Sequence, residues 1–148
     1  MFLIAFAVAM LLTPVPSAPA ADDAALSYGN WEFTGKDNEG VTWKGPLTIE
    51  KLDTERFNPT KYNFMCKLDV QSGESSRGVE GPCKYDSPSR TLTIGGGSLD
   101  SYTYSAVLSA DGKALIQGKW TEAIDREKGG NWVKVKISGN WSAKLAAK

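Results

Sequence analysis

The chain has 148 residues, in which 17 Lys and Arg balance 17 Asp and Glu, and it contains no histidine. Zero net charge, with the two signs interleaved, leaves no footprint for nucleic acid and no pull toward acidic membranes. The lack of histidine excludes Ser-His-Asp and Cys-His nucleophile systems and every imidazole metal site.

Phe2 to Leu12 is an unbroken apolar run, followed by a Pro/Ser/Ala-rich stretch with small residues at 18, 20 and 21. An apolar run of this length before small residues predicts a signal peptide over residues 1–21, cut after Ala20 or Ala21. The run would rise about 16 Å as a helix, far short of a hydrocarbon core of about 30 Å. The expected product is secreted or periplasmic, with residues 22–148 forming one domain.

Period-two alternation then dominates. Trp31 and Phe33 alternate with Glu32 and Thr34, and a turn over "GKDNEG" follows. Val41, Trp43, Leu47 and Ile49 share the next inward phase, where Pro46 predicts an edge or a bulge because proline cannot donate to a ladder. Tyr62, Phe64, Cys66, Leu68 and Val70 oppose Lys61, Asn63, Lys67 and Asp69. "QSGESSRGVEG" reads as a polar loop leading to a short strand with Cys83 and Tyr85. Leu92 and Ile94 precede "GGG", Tyr102, Tyr104, Ala106 and Leu108 alternate next, and the Asp-Gly of "SADGK" is a hairpin signal.

Ile116, Gly118 and Trp120 continue the inward phase, and "EAIDREKGG" reads as a loop. In the last strand Val133, Val135, Ile137, Gly139, Trp141, Ala143 and Leu145 share one face, and Lys134, Lys136, Ser138, Asn140, Ser142 and Lys144 share the other. Gly139 within it predicts a bend or bulge. The sum is an all-β antiparallel meander of about eight strands, most simply closed into a small up-and-down barrel. The two cysteines, Cys66 and Cys83, both fall on the inward phase and predict one cross-hairpin disulfide.

Gly29, Asn30 and Trp31 form a Gly-x-Trp on the first strand, and "LSADGKALIQGKW" and "SGNWSAKL" look like closing hairpins of small bacterial barrels. In this pattern the chain resembles the lipocalin and avidin group of exported barrels. The resemblance implies a calycin-type barrel. Its departures are a shorter chain than a typical lipocalin, no C-terminal helix, and no placeable counterpart of the polar set with which avidins hold biotin.

There is no Gly-x-Ser-x-Gly elbow and no phosphate loop, and "GGGS" at 95–98 lacks a following Lys. Two acids suffice for glycoside hydrolysis, but the candidates Glu32, Glu50 and Glu122 read as outward, solvated carboxylates. "DNEG" at 37–40 reads as a hairpin turn rather than a calcium loop. No catalytic residue, metal or cofactor is expected.

The aromatic residues carry the functional expectation. Trp31, Trp120 and Trp141 point inward as core or as cavity wall, while Trp132 lies out of phase with Val133 beside a Gly-Gly turn and is the first candidate contact residue. The leading expectation is an exported, non-catalytic binding protein holding a small apolar or aromatic ligand among Trp43, Tyr102, Tyr104, Trp31 and Trp120, or at the barrel mouth by Trp132. The alternative is a barrel that binds a protein, such as an inhibitor of a protease or lytic enzyme, through "ADDAALSYG" or the segments near 71–82 and 122–130. A carbohydrate-binding role ranks lower because only Trp132 is out of phase. A transmembrane barrel ranks lower too: the strands are short and the chain ends without a terminal aromatic, so no stable membrane insertion is expected.

Overall fold

The alternation of large apolar and polar side chains becomes eight strands: β1 (Gly29–Asp37), β2 (Thr42–Lys51), β3 (Phe64–Ser72), β4 (Ser75–Asp86), β5 (Thr91–Gly95), β6 (Tyr102–Leu108), β7 (Ala114–Lys128) and β8 (Asn131–Leu145). In the computed structural model, which describes residues 25–97 and 101–147, each strand pairs antiparallel with the next. β8 returns to β1, with Trp31 opposite Leu145 and Asp37 opposite Gly139, so the sheet is a closed barrel. The predicted signal peptide, residues 1–21, lies outside the described residues.

The barrel is packed by its aromatic residues, and the repeated Gly-x-Trp shows how. Across β7 and β8, Trp120 stands opposite Gly139 and Trp141 opposite Gly118. Across β1, Gly35 stands opposite both Trp141 and Trp43, and Gly45 opposite Phe33. Large rings therefore alternate with glycines on neighbouring strands, and each ring has room over a residue without a side chain. A Cβ built on Gly35 would lie 2.4 Å from Cζ3 of Trp120, and one on Gly118 would lie 2.3 Å from the carbonyl oxygen of Trp141.

Phe33 stacks on Trp141 at 5.1 Å, Tyr104 stacks on Trp120 at 5.9 Å, and Phe33 approaches Tyr104 at 6.3 Å. Such ring pairs add about 0.5–1.5 kcal/mol each beyond the area they bury. The middle of the barrel is thus filled by these four rings.

The end of the barrel where β1 begins is the base. The segment before β1 closes it: Leu26 is buried in the core, and the backbone oxygen of Ser27 accepts the indole N–H of Trp31 at 3.2 Å. Cys66 and Cys83 form a disulfide nearby, with their Cα atoms 6.0 Å apart. Cys83 pairs with Phe64 and Cys66 with Gly81, so the bridge crosses the β3–β4 ladder diagonally. Closing a loop of this sequence separation of 17 contributes about 3 kcal/mol in the chain-entropy account.

The opposite end, the mouth, corrects several expectations. "QSGESSRGVEG" is not a loop: β3 and β4 run through it, and Ser72 pairs with Ser75 around a two-residue turn. "EAIDREKGG" is likewise strand up to Lys128, which pairs with Asn131 around Gly129 and Gly130. Both glycines have positive φ, 59° and 82°, as the tight hairpin turn demands. Beyond the pairs that Glu122 makes with β6 and Gly139 makes with β1, β7 and β8 project past the barrel as a two-stranded ribbon.

Three smaller differences also have physical causes. A bulge between Leu115 and Gly118, with Gln117 at φ 53°, shifts the phase and turns Ile116 outward to 39% exposure. The ladder at Gly139 is regular; its glycine serves close approach, since a Cβ there would meet the Lys36 oxygen at 2.3 Å. Pro46 sits on neither an edge nor a bulge, because β2 is paired on both sides and the β2–β3 ladder simply passes over Gly45 and Pro46.

Candidate functional site

At the mouth a chain of polar side chains spans the barrel. Asp37 ends β1 and is the one buried charged residue among those described. Its Oδ1 accepts the backbone N–H groups of Glu39 and Val41, each at 2.9 Å, which shapes the β1–β2 turn. Its Oδ2 accepts the indole N–H of Trp43 at 3.0 Å. Burial works to raise the Asp37 pKa, but the Trp43 N–H, the two backbone N–H groups and the Arg77 charge outweigh it and hold the carboxyl below its ordinary value.

The guanidinium of Arg77, on β4, lies over the Trp43 ring at 5.0 Å and donates to Oε2 of Glu122 at 2.7 Å. The side chains of Arg77 and Glu122 are each only 14% exposed. The same Glu122 oxygen accepts the hydroxyl of Tyr104 at 3.2 Å. Burial, and then the Glu122 charge, push the Tyr104 pKa well up, so its hydroxyl stays a donor. The chain Asp37–Trp43–Arg77–Glu122–Tyr104 therefore ties β1, β2, β4, β7 and β6 together above the packed rings.

Glu122 corrects the sequence reading. The alternation predicts for it the outward phase of Glu32 and Glu50, which are exposed. Instead it lies two residues beyond Trp120 on the same face, turned inward. Arg77 and Asp37 are absent from the expected site. The signal for Arg77 was present: counting back in twos from Cys83 gives Gly81, Val79 and Arg77 on the inward phase.

Above this network lies a cavity of about 290 Å³. The β1–β2 turn contributes Asp37, Glu39, Val41 and Trp43, the start of β4 contributes Ser75, Ser76 and Arg77, and the ribbon contributes Ile124, Arg126 and Ile137. A second ion pair, Arg126 to Glu39 at 2.9 Å, joins the ribbon to the β1–β2 turn. Asn38 reinforces that joint by donating its N–H to the Ser138 oxygen at 2.7 Å.

The expected contact residues are dispersed. Trp43 lines the cavity, Tyr104 anchors its floor, and Tyr102 is half-buried beside Tyr104 at 6.3 Å. Trp120 is buried among the central rings, and Trp31 is buried at the base, away from the mouth. Trp132 is 73% exposed on the outer face of the ribbon, opposite Glu127. Among the described residues no cluster of three or more His, Cys, Asp or Glu could hold a metal ion.

Compared with known proteins, the chain matches no family model and no curated protein. The closed eight-stranded antiparallel barrel is compatible with a calycin-like fold, and the Cys66–Cys83 disulfide is compatible with an oxidising compartment.

Proposed function

We propose that this chain is an exported, non-catalytic binding barrel, similar in build to lipocalin and avidin barrels, that holds a small apolar or aromatic ligand at its mouth. The observation that carries this reading is the cavity of about 290 Å³ between the β1–β2 turn, β4 and the ribbon. Its size sits at the lower end of small-molecule pockets, and Val41, Trp43, Ile124 and Ile137 give it apolar walls beside a few fixed polar groups. The filled centre favours the mouth over the interior as the place for a ligand. The outward residues of β1 and β8, among them Glu32, Thr34, Lys36, Asn140 and Ser142, favour a barrel that faces water rather than lipid.

Titration with a panel of small hydrophobic ligands tests the proposal. Tryptophan fluorescence should respond to at least one of them, and Trp43→Phe should reduce that response. A silent panel with a protein that melts normally would reject mouth binding.

A second reading rests on Trp132. A largely exposed indole on a projecting ribbon is costly without a use, and it suits a partner protein with a cleft. Capture of the same partner by wild type but not by Trp132→Ala would favour that reading.

A further inference from the structure

We infer that the mouth cavity selects a neutral molecule that brings hydrogen-bond acceptors, such as a ketone, ester or amide, on an apolar body. The inference rests on the mouth-binding proposal and specifies its ligand class.

The first argument is charge. Two guanidiniums, Arg77 and Arg126, and two carboxylates, Asp37 and Glu39, line the cavity. Glu122 stands behind Arg77 as its ion-pair partner, and Glu39 is paired with Arg126. Every lining cation already has its anion. A charged ligand would leave water to find both guanidiniums ion-paired and both Asp37 oxygens already holding N–H donors.

The second argument is the count of donors and acceptors. A guanidinium carries about five N–H donors. Arg77 and Arg126 each use Nη2 on a carboxylate, and their other nitrogens have no hydrogen-bond partner among the described residues. The acceptors are more fully engaged: both oxygens of Asp37 are taken, and Glu39 has given one of its two to Arg126. The cavity therefore offers guanidinium N–H groups from two walls, β4 and β7, against one oxygen of Glu39 and the hydroxyls of Ser75 and Ser76, which can donate as well as accept. A ligand oxygen completes what the lining leaves open, while Trp43, Val41, Ile124 and Ile137 receive the apolar body.

The test is calorimetric titration of the intact protein with four probes on one phenylalkyl body: 4-phenylbutan-2-one, propylbenzene, 3-phenylpropanoate and 3-phenylpropylammonium. The ketone should bind at least about tenfold tighter than each of the other three. Arg126→Gln, which alters an exposed pair and leaves the buried network intact, should cost the ketone about tenfold and leave propylbenzene unchanged. Tightest binding by the carboxylate or the ammonium, or equal binding of ketone and hydrocarbon, would overturn the assignment of ligand class while leaving mouth binding in place. Binding of none of the four would take both away.

Discussion

Adding one methyl group at Gly118 should loosen the whole barrel. A Cβ there would lie 2.3 Å from the Trp141 carbonyl oxygen and 2.7 Å from two carbons of its indole. The oxygen belongs to the paired strand β8, and the ring is held by Phe33 and by an N–H bond to the Lys119 oxygen at 3.1 Å, so neither can yield cheaply. Overpacking of this kind costs about 1–3 kcal/mol, and an immovable backbone neighbour places Gly118→Ala near the upper end. For a domain of this size that corresponds to a fall in Tm of about 10 °C. Gly81→Ala is the matched control. Gly81 is also a strand glycine without positive φ, but its Cβ would meet only the Tyr102 hydroxyl, at 3.3 Å. The change in unfolded-chain entropy is the same in both variants, so the difference between them isolates the clash. Thermal unfolding followed by near-ultraviolet circular dichroism reads the ring cluster directly. If Gly118→Ala melts within about 2 °C of Gly81→Ala, the pairing of rings with glycines is not what sets the fit.

Arg77→Met leaves Glu122 without its ion-pair partner at 14% exposure, and denaturant melts should show a loss of about 3 kcal/mol, with Glu122→Gln in the same background restoring part of it. Replacing Cys66 and Cys83 together by Ala should lower stability by about 3 kcal/mol, and reduction of the wild type should give a similar loss. The Asp37 carboxyl is held below its ordinary value, so its contribution is complete above the unfolded value of about 4 and disappears as pH falls through the lower folded value. An acid titration of tryptophan fluorescence should therefore show a loosening below about pH 4 that Asp37→Asn abolishes. Gly130→Ala, at φ 82°, should cost about 1 kcal/mol in the ribbon turn, with hydrogen exchange faster at Lys128 and Asn131 and unchanged around Trp31.

How much of this was legible in the sequence follows from where each residue sits. Trp31, Phe33, Trp120 and Trp141 were readable because a filled interior forces every second side chain to be large, apolar or glycine. At the mouth that rule lapses. The β7 limb of the ribbon, 122–128, and the tip of the β3–β4 hairpin have little interior to cover, so their sequence is mostly polar and reads as loop, whereas Val133, Val135 and Ile137 keep the β8 limb legible as strand. The Arg77–Glu122 pair joins residues 45 apart in sequence, and no local pattern reports such a contact. Glu122 was nonetheless accessible to the same logic that placed Trp120, since it follows two residues later. Ile116 was not: a single extra residue in a bulge exchanges the two faces without altering composition.

The turn at Gly129 and Gly130 has a further consequence. A Cβ on either glycine would meet nothing within 4 Å, and the ladder beneath them runs on into the closed sheet. Folding of the barrel is thus largely indifferent to what the tip presents. A single substitution at either positive-φ glycine strains the turn, but a grafted epitope or an inserted loop that brings its own turn would leave the scaffold unchanged.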